Sequence, residues 1–501
     1  MKFLDLLQGV AVVAHGGNAD VTGLEYDSRR VKPGDLFVAM RGEASDGNRF
    51  IEKAIAAGAV AVVTDSDLEP AGVAWAKVQH GRRALATLSA NFYKHPAKKL
   101  GVTGITGTNG KSTTAFLVES ILRAAGRTGA LVGTIEYHIG DKVLPAPHTT
   151  PEALDLQRIF CEALHAGGSE AVMEVSSHAL AQQRTYAIPF DVAVFTNLTR
   201  DHLDYHRSME EYFSAKKILF TGDGGPPPRV AVLNADDPYG AELAGYCRGQ
   251  SRVLMYGLSK GDFHANKVEI TPRGTRFELT TTSGTVLVSS PLIGRVNVYN
   301  ILAASTAAFA RGCSLQNIAE GVATLTRVPG RFERVDCAQP FTVVVDYAHT
   351  DDALRNLTSL AREFVKQSSG RVITVFGCGG DRDRSKRPLM GEAAGRGSDF
   401  VVLTSDNPRS EDPLSIINDA VVGLQRSGTK FKTESDRRAA IRLAVSEARA
   451  GDIVLIAGKG HEQVQILRGG SIPFDDRTVA GEILQELGYE CASAQKAGKP
   501  A

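Results

Sequence analysis

The sequence is poor in cysteine and tryptophan, and it contains no long apolar run. Its 501 residues include six cysteines, none in a C-x-x-C pair, and a single tryptophan. Scattered cysteines of this kind predict reduced thiols in an intracellular protein and exclude a C-x-x-C zinc site. No apolar run approaches the roughly 18 residues that a membrane-spanning helix needs, so no membrane span is expected.

The sequence also lacks an excess of either charge. The formal net charge is +1, the isoelectric point is near 7.7, and no acidic tail is present. A nucleic acid partner is therefore not expected, whereas small anionic substrates need only local positive charge. Asp5 interrupts the first apolar stretch, so a signal peptide is not expected, although a short h-region is the alternative. The expected location is the cytoplasm.

Apolar, β-branched runs alternate with amphipathic helical patterns along most of the chain. Runs of this type, buried on both faces, are typical of parallel strands covered by helices, so the predicted class is α/β. The runs occupy residues 59–64, 100–106, 171–176, 191–197, 229–234, 342–348, 371–377, 400–405 and 452–458.

A chain of this length predicts about three domains. Polar, proline-containing stretches at 91–100 and 326–335 mark the expected boundaries. Thr-rich alternation around Ser283-Gly284 predicts a β-hairpin added to the middle domain. The expected division is 1–98, 99–330 and 331–490, followed by a flexible tail at 491–501.

The stretch "GVTGITGTNGKSTTAFLVESILRAAG" at 101–126 predicts a strand, a glycine-rich loop and a helix. Backbone N–H groups of such a loop, together with the helix N-terminus, form a cradle for phosphate. Lys111 is placed to reach the β- and γ-phosphates, and Ser112 or Thr113 could hold Mg²⁺. The compact spacing G-x-x-G-K-S-T predicts binding of ATP or a similar nucleotide, and the alternative is a plain turn with an exposed lysine.

Several polar side chains interrupt or follow apolar strands, where α/β sheets place ligands. Glu174 suits a Mg²⁺ ligand, and Asp346 follows three valines. His202 and His206 have the i, i+4 spacing of a metal pair, but histidines in a polar segment are more often solvated. Near "FGCGGDRDRSKRP", Arg382 occupies the position where a dinucleotide fingerprint needs glycine, so a NAD site is not expected.

The loop "GITGTNGKST" resembles that of the Mur ligase superfamily, the ATP-dependent amide-forming enzymes of peptidoglycan precursor synthesis. The resemblance extends over nearly the whole chain through "YDSRRVKPGDLFVAMRG", "HTTPEAL", "MEVSSHAL", "FTNLTRDHLDYH", "GRVNVYNILAA", "PGRFE", "VVDYAHT", "GCGGDRDRSKRPLMG" and "AGKGHE". It implies an N-terminal UDP-binding α/β domain, a central P-loop ATPase-like domain and a C-terminal Rossmann-like domain.

The resemblance also implies roles for residues around the nucleotide. The implied catalytic residues are Lys111, Lys216 and His202, and the lysine at the Lys216 position is carbamylated in the family. Without the resemblance, the sequence favours Lys216 and Lys217 as surface lysines. The implied cofactor, Mg²⁺, is held by Ser112, Thr113, Glu174 and His202. The resemblance implies no function for His206. The implied ATP-binding residues are Gly107, Thr108, Asn109, Gly110, Lys111, Ser112, Thr113, Asn300, Arg331 and Asp346.

For the sugar-nucleotide substrate, UDP-N-acetylmuramoyl-L-alanyl-D-glutamate, the resemblance implies six binding residues. They are Ser28, Thr149, Thr150, Ser176, Gln182 and Arg184. "TTPE" also fits a local helix start, with Thr150 as N-cap and Pro151 at the first helical position. Capping and substrate binding are compatible, since both use the same helix end.

The motif "DNPR" resembles the relatives that use meso-2,6-diaminopimelate as the incoming amino acid. The implied contacts are Arg382, Asp406, Asn407, Pro408, Arg409, Gly458 and Glu462. The expected reaction joins diaminopimelate to the D-glutamate γ-carboxylate through an acyl phosphate, by a monomeric enzyme. Alternatives are a lysine-adding Mur ligase, a folylpolyglutamate synthase, a P-loop kinase or NTPase, and a binding protein with an inactive nucleotide site.

Overall fold

The computed structural model describes residues 1–42, 45–222, 225–366 and 369–491. Three sheets of five, eleven and six strands follow one another along the chain, and a two-stranded ribbon follows them. Helices pack on the sheets, which confirms the predicted α/β class. In the described part of the chain, no helix is long and apolar enough to cross a membrane. Apart from Cys491, the tail predicted at 491–501 lies outside the described residues.

The first sheet belongs to the N-terminal part of the chain. Its strands are β1 (Val12–Gly16), β2 (Gly23–Glu25), β3 (Asp35–Ala39), β4 (Ala61–Thr64) and β5 (Ala74–Val78). The strand order is β1-β5-β4-β3-β2, and only β1 runs antiparallel to its neighbour. Its helices are α1 (Phe3–Leu6), α2 (Ile51–Ala56) and α3 (Gly81–Phe92), with 3₁₀ turns at Gly47–Phe50 and Pro96–Lys98.

The second sheet has eleven strands. They are β6 (Gly101–Thr106), β7 (Gly129–Val132), β8 (Glu136–Ile139), β9 (Lys142–Pro145), β10 (Glu170–Glu174), β11 (Val192–Phe195), β12 (Val230–Asn234), β13 (Arg252–Gly257), β14 (Phe263–Thr271), β15 (Gly274–Thr281) and β16 (Gly284–Ser290). The order is β16-β15-β14-β13-β12-β11-β6-β10-β7-β8-β9. Parallel β6 lies between β10 and β11, and every residue of it is buried because helices cover both faces.

In the described part of the chain, eight helices accompany this sheet. They are α4 (Lys111–Ala124), α5 (Ala153–His165), α6 (Ser177–Ala181), α7 (Leu203–His206), α8 (Met209–Thr221), α9 (Pro238–Cys247), α10 (Arg295–Ala310) and α11 (Leu315–Thr324). The predicted hairpin is confirmed, because β15 and β16 pair antiparallel and Thr281 faces Gly284 across a two-residue loop.

The third sheet has six strands. They are β17 (Glu333–Val335), β18 (Thr342–Asp346), β19 (Val372–Cys378), β20 (Phe400–Ser405), β21 (Lys430–Thr433) and β22 (Ile453–Ala457), and the ribbon is β23 (Val464–Leu467) with β24 (Gly470–Pro473). The order is β17-β18-β22-β19-β20-β21, parallel except for β17. The helices are α12 (Asp351–Val365), α13 (Lys386–Gly397), α14 (Pro413–Ser427), α15 (Arg437–Glu447) and α16 (Asp476–Glu486).

The domain boundaries near 98 and 330 stay a prediction, and each falls between two sheets.

Side chains of the N-terminal part of the chain contact helix α5, which accompanies the second sheet. The Tyr26 hydroxyl donates to Asp155 at 2.9 Å, and Arg82 pairs with Glu152 at 3.3 Å. The N-terminal part of the chain is therefore held to the helix that follows "HTTPE".

One expectation about the cysteines is wrong. A disulfide joins Cys337 and Cys491, whereas Cys161, Cys247, Cys313 and Cys378 are free thiols. The two partners lie 154 residues apart in sequence, so no local spacing could indicate the pair. They meet because the segment after β17 packs against the residues that follow α16, where the Phe341 and Tyr489 rings lie 5.7 Å apart.

A buried ion pair ties two strands of the third sheet together at their carboxyl ends. Arg437 and Asp476 have no exposed side-chain surface, and Arg437 Nη2 lies 2.6 Å from Asp476 Oδ2. The same guanidinium donates to the carbonyls of Ser405, at the end of β20, and Ala457, at the end of β22. The loops that follow both strands therefore share one buried anchor.

We expect Arg437→Leu to lower the free energy of unfolding by about 3–5 kcal/mol, because Asp476 would keep a buried, unpaired charge. Urea unfolding followed by circular dichroism measures this loss. The control is Arg438→Leu on the same helix, whose partners Glu482 and Glu486 are solvent-exposed. Exposed pairs contribute about 1 kcal/mol or less. Equal losses in the two variants would contradict the assignment of Arg437 as the anchor.

Candidate functional site

A cavity of about 730 Å³ lies between the second and third domains, at the carboxyl ends of their parallel strands. This is where α/β sheets present ligands. Its wall brings together the phosphate loop at 107–113 and most of the residues expected to bind nucleotide, metal and sugar nucleotide. They include Glu174, Ser176, His202, Lys216, Asn300, Arg331, Asp346 and Arg382.

Glycines shape the phosphate loop between β6 and α4. Gly107 has a φ of +147° and Gly110 a φ of +87°, both in the region that favours glycine. A Cβ at Gly107 would lie 1.9 Å from Thr196 Oγ1, so a side chain there would clash. Helix α4 begins at Lys111 and buries Phe116, among other apolar residues, under the sheet. The predicted strand, loop and helix are confirmed.

Lys111 folds back over its own loop. Its Nζ donates to the carbonyls of Gly107 at 3.0 Å and Thr108 at 2.9 Å. Burial lowers the pKa of Lys111, while the nearby carboxylates of Glu174 and Asp201 oppose that change. The ammonium is thus held at the centre of the phosphate cradle, where anionic oxygens could replace the two carbonyls as its partners.

Lys216 is buried, which corrects the expectation from sequence alone of a surface lysine. It extends from α8 with 1% of its surface exposed, and its Nζ donates to the carbonyl of Gly107 at 2.9 Å. Burial and the proximity of Lys111 lower the pKa of Lys216 well below its usual range. Lys217, one residue later, instead places its Nζ 4.3 Å from the Tyr246 ring.

Glu174 ends β10 with its carboxylate inside the cavity wall. Its Oε1 accepts from the Thr134 amide at 2.8 Å, and its Oε2 accepts from the Thr134 hydroxyl at 3.1 Å. Gly133 leaves room for this carboxylate, because a Cβ there would lie 2.4 Å from Glu174 Oε1. The carboxylate is oriented before any ligand arrives.

His202 begins α7 in a left-handed conformation, with a φ of +55°. Burial lowers the pKa of His202 to about 3, so its imidazole is neutral and can donate a lone pair. Among the described residues, no group of three histidine, cysteine or acidic side chains could hold a metal by itself. Mg²⁺ commonly takes one or two carboxylates and completes its shell with phosphate oxygens and water, so the donors present still suit it.

His206 is buried, so the expectation of a solvated background histidine is wrong. Its Nε2 lies 2.8 Å from Ser177 Oγ, and its ring centre is 5.2 Å from that of Tyr212. His178 lies between the rings of His202 and His206, at 4.8 Å and 5.4 Å. His206 thus packs close to His202 and His178 because α7 and α8 close over α6.

The third domain reaches the phosphate loop through Arg331. Its Nη2 donates to Ser112 Oγ at 3.2 Å, and its guanidinium lies 4.6 Å from the Tyr347 ring centre. Asp346 supports the same loop by accepting from the amides of Phe332 and Ala348. Burial raises the pKa of Asp346. Asp346 therefore stabilises the loop that carries Arg331. The nucleotide contacts expected for Asp346 and Arg331 stay predictions.

Asn300 lies against the phosphate loop. A Cβ at Gly110 would lie 2.4 Å from Asn300 Oδ1, and Asn300 Nδ2 donates to Asn297 Oδ1 at 3.0 Å. On the other side of the loop, Asn109 Nδ2 donates to Asp352 Oδ2 at 2.9 Å. The adenine contact expected for Asn300 stays a prediction.

Five of the six residues expected to bind the sugar nucleotide line the cavity. Thr150 Oγ1 donates to the Glu174 carbonyl at 2.9 Å, and Arg184 Nη1 donates to the Thr150 carbonyl at 2.7 Å. The expected N-cap at Thr150 is wrong: α5 begins at Ala153, because the Thr150 hydroxyl serves the end of β10 instead. Ser28, the sixth residue, lies half-buried in the turn after β2, away from the cavity wall.

Of the residues expected to bind the incoming amino acid, Arg382 lines the cavity, and in the described chain the others do not. Arg409 has a φ of +52°, and its Nη1 donates to the Gly380 carbonyl at 2.8 Å. Gly379 separates Arg409 from Arg382, since a Cβ there would meet Arg409 Nη1 at 3.1 Å and Arg382 Cγ at 3.6 Å. Two adjacent guanidiniums favour an anionic ligand.

Burial and the nearby charge of Arg382 lower the pKa of Arg409. Gly458 has a φ of +114°, and a Cβ there would lie 2.5 Å from Asp406 Oδ2. The glycine is therefore required for the Asp406 carboxylate to fit at the end of β22. Pro408 continues the same turn, and its carbonyl accepts from the Glu411 amide at 3.0 Å.

Asp201 is a central residue of this site that sequence reasoning missed. Its carboxylate, 6% exposed, lies 3.4 Å from His202 Nε2, 3.7 Å from His349 Nε2 and 3.4 Å from Lys386 Nζ. His349 and Lys386 belong to the third domain. The signal available was its place directly before an expected site residue, His202, in "TRDHLD", but the side chains of Lys386 and His349 that face it come from distant segments.

Three family models match the chain in sequence order. They are the Mur ligase family catalytic domain at residues 20–93, the Mur ligase middle domain at 105–308 and the Mur ligase glutamate ligase domain at 330–460. The chain is 56% identical, over 94% of both chains, to a UDP-N-acetylmuramoyl-L-alanyl-D-glutamate--2,6-diaminopimelate ligase of Solibacter usitatus. The chain belongs to the Mur ligase family.

A second relative of the same name, from Geobacillus thermodenitrificans, is 48% identical over 95% of this Mur ligase and 97% of its own length. A solved structure of a UDP-N-acetylmuramoyl-L-alanyl-D-glutamate--2,6-diaminopimelate ligase matches with a TM-score of 0.66 and 35% identity. It covers 94% of this chain and 96% of its own. The three family models and this solved structure confirm the three-domain architecture expected from sequence. Mur ligases are ATP-dependent enzymes that form amide bonds.

We expect Asp201→Asn to lower kcat of this Mur ligase by about 10- to 100-fold. Loss of the carboxylate frees Lys386 and His349 from the second domain, and small misplacements at a reacting centre have effects of this size. Steady-state turnover with ATP measures the change. The control is Asp204→Asn, an exposed acid on α7, which should stay within twofold of wild type. Wild-type turnover in Asp201→Asn would rule out this linking function.

Proposed function

We propose that this Mur ligase joins meso-2,6-diaminopimelate to the D-glutamate γ-carboxylate of UDP-N-acetylmuramoyl-L-alanyl-D-glutamate, with ATP as co-substrate. The relatives named above support these substrates. The single structural observation that supports the proposal most is the cavity itself. It places a phosphate loop, two buried lysines and Arg382 around one space between two domains.

The chemistry follows from the poor reactivity of a carboxylate toward an amine. Transfer of the γ-phosphoryl group of ATP to the γ-carboxylate oxygen yields an acyl phosphate and ADP. The amino group of diaminopimelate then attacks the acyl carbon, and phosphate leaves as a proton is lost. Lys111 and the loop N–H groups would offset the phosphate charge in both steps. Arg331, which reaches Ser112 from the third domain, would help to exclude water.

Ser112, Thr113, Glu174 and His202 are the residues that would hold Mg²⁺, which would supply positive charge beside the phosphates. Two hydroxyls, a carboxylate and a neutral imidazole form a suitable donor set. Glu174 is already oriented by Thr134, and Ser112 and Thr113 begin helix α4 at the end of the loop.

Lys216 is proposed to carry a carbamate. A neutral amine adds to CO₂ to form R–NH–COO⁻ with release of one proton, and a protonated amine cannot react. The lowered pKa of Lys216 supports the neutral form, and the adjacent Lys111 would stabilise the new anion. The product would place a carboxylate next to the carbonyl of Gly107, within the phosphate cradle.

We expect ¹³C-bicarbonate to give a carbamate resonance in the wild-type protein that is lost in Lys216→Ala. Turnover of Lys216→Ala should fall at least 100-fold, because Mg²⁺ beside the γ-phosphate would lose an anionic ligand. The control, Lys217→Ala, should keep both the resonance and turnover within twofold. Unchanged turnover in Lys216→Ala would disprove the proposed modification as a catalytic group.

Selectivity for diaminopimelate over lysine is proposed to arise from Arg409 and Arg382. Diaminopimelate has a distal carboxylate beside its distal ammonium, whereas lysine has the ammonium alone. Bound lysine would leave two adjacent guanidiniums without an anion, which disfavours it by about 10²–10⁴ in kcat/KM. Asp406 and Glu462 are the proposed partners of the ammonium.

Phosphate release with the UDP-linked dipeptide and ATP tests the proposal. We expect release that depends on diaminopimelate and exceeds release with lysine by at least 100-fold. Equal rates with lysine would favour the lysine-adding alternative. Release that needs no amine would favour a P-loop NTPase, and activity only with a folate and glutamate would favour a folylpolyglutamate synthase.

The proposed biological setting is peptidoglycan precursor synthesis, and hence cell-wall biogenesis, cell shape and cell division. A cytoplasmic location is proposed because ATP and UDP-linked precursors are cytoplasmic metabolites. The expected monomer stays a prediction that light scattering of the purified protein can measure.

A further inference from the structure

Lys459 is a lysine of the third domain that the reaction scheme above does not use. It follows β22, and its side chain has no exposed surface. Its Nζ donates to Asn407 Oδ1 at 3.0 Å, to Glu462 Oε2 at 2.9 Å and to the Val464 carbonyl at 2.7 Å. An ammonium has three N–H bonds, so all three are satisfied.

The partners of Lys459 also bind each other. Asn407 Nδ2 donates to Glu462 Oε2 at 2.7 Å, and Asn407 Oδ1 accepts from the Ile466 amide at 2.9 Å. The Asn407 amide oxygen accepts two hydrogen bonds and one of its two N–H bonds is donated, all within the protein. These bonds make Asn407 a support for Glu462, and its own contact with the incoming amino acid stays a prediction.

The same network leaves one oxygen of Glu462 for a ligand. Among the described residues, both hydrogen bonds to this carboxylate end on Oε2, and the side chain keeps 28% exposure. Lys459 and Asn407 thus fix one edge of the carboxylate. The other oxygen, Oε1, stays available for an ammonium.

Lys459 also connects the Arg409 turn to the ribbon that follows it. The Val464 carbonyl and Asn407 are both bound by Lys459, and the Arg409 amide donates to the Ile466 carbonyl at 3.0 Å. The residues that would receive a carboxylate and those that would receive an ammonium are therefore held at one relative position by a single buried cation.

We infer that Lys459 is a specificity-determining positioning residue, which fixes Glu462 and the Arg409 turn so that the pocket accepts an amino acid with a distal carboxylate and a distal ammonium. The inference rests on the proposed function. Lys459 itself touches no substrate. Its action passes through the orientation of Glu462 and through the direction of Arg409.

The test is Lys459→Met, which keeps the length of the side chain and removes its charge. We expect KM for diaminopimelate to rise at least tenfold, with KM for ATP and for the UDP-linked dipeptide within twofold of wild type. The ratio of kcat/KM for diaminopimelate over lysine should also fall at least tenfold. A purely structural lysine would change stability without this split between substrates.

The matched control is Arg371→Met, which breaks the ion pair with Asp452 at the opposite end of the same sheet. It should lower the unfolding temperature and leave every KM unchanged. The double variant Lys459→Met/Glu462→Gln removes both charges, so it folds even if the single variant does not. The rise in its KM for diaminopimelate should be smaller than the product of the rises in Lys459→Met and Glu462→Gln, since part of the effect of Lys459 passes through that carboxylate.

Two results would overturn the inference. One is an equal change in the three KM values for Lys459→Met, and the other is full additivity in the double variant. Failure of the proposed function looks different, because the wild-type enzyme would then show no release of phosphate that depends on diaminopimelate. An active wild type with unchanged selectivity in Lys459→Met rejects the role of Lys459 alone.

Discussion

The buried carboxylate of Asp201 is the contact on which the meeting of the second and third domains of this Mur ligase depends. It belongs to the second domain, yet the cation that pairs with it, Lys386, and the imidazole of His349 come from the third. Charges removed from water are stable only when they are paired. The same contact that satisfies Asp201 therefore brings Arg331 to the phosphate loop and Arg382 to the cavity wall.

Buried cations recur with a similar structural purpose. Lys111 and Lys216 both donate to the carbonyl of Gly107, and each stabilises the phosphate loop through that contact. In the third domain, Arg437 binds the ends of β20 and β22, and Lys459 binds the loops that follow them. One pair of cations lies at the phosphate loop, and the other fixes the loops at the carboxyl ends of β20 and β22.

Much of the fold could be predicted from local patterns. Each of the apolar runs forms a strand, the hairpin at Thr281 and Gly284 is present, and α4 follows the phosphate loop. The misses concern partners that are distant in sequence. Lys216 and His206 were predicted at the surface because their burial depends on how α6, α7 and α8 pack. Thr150 was predicted as a helix cap because its hydrogen bond to the end of β10 depends on a strand that is distant in sequence.

The sequence by itself determined the α/β class, the phosphate loop and the order of the motifs, because periodicity and glycine spacing are local properties of the chain. Only the tertiary structure decided which charges are buried and what pairs with them. Asp201 with Lys386, Lys459 with Glu462 and Cys337 with Cys491 follow from how loops meet at sheet ends. Burial and electrostatic pairing depend on distances in space, and separation along the chain does not encode them.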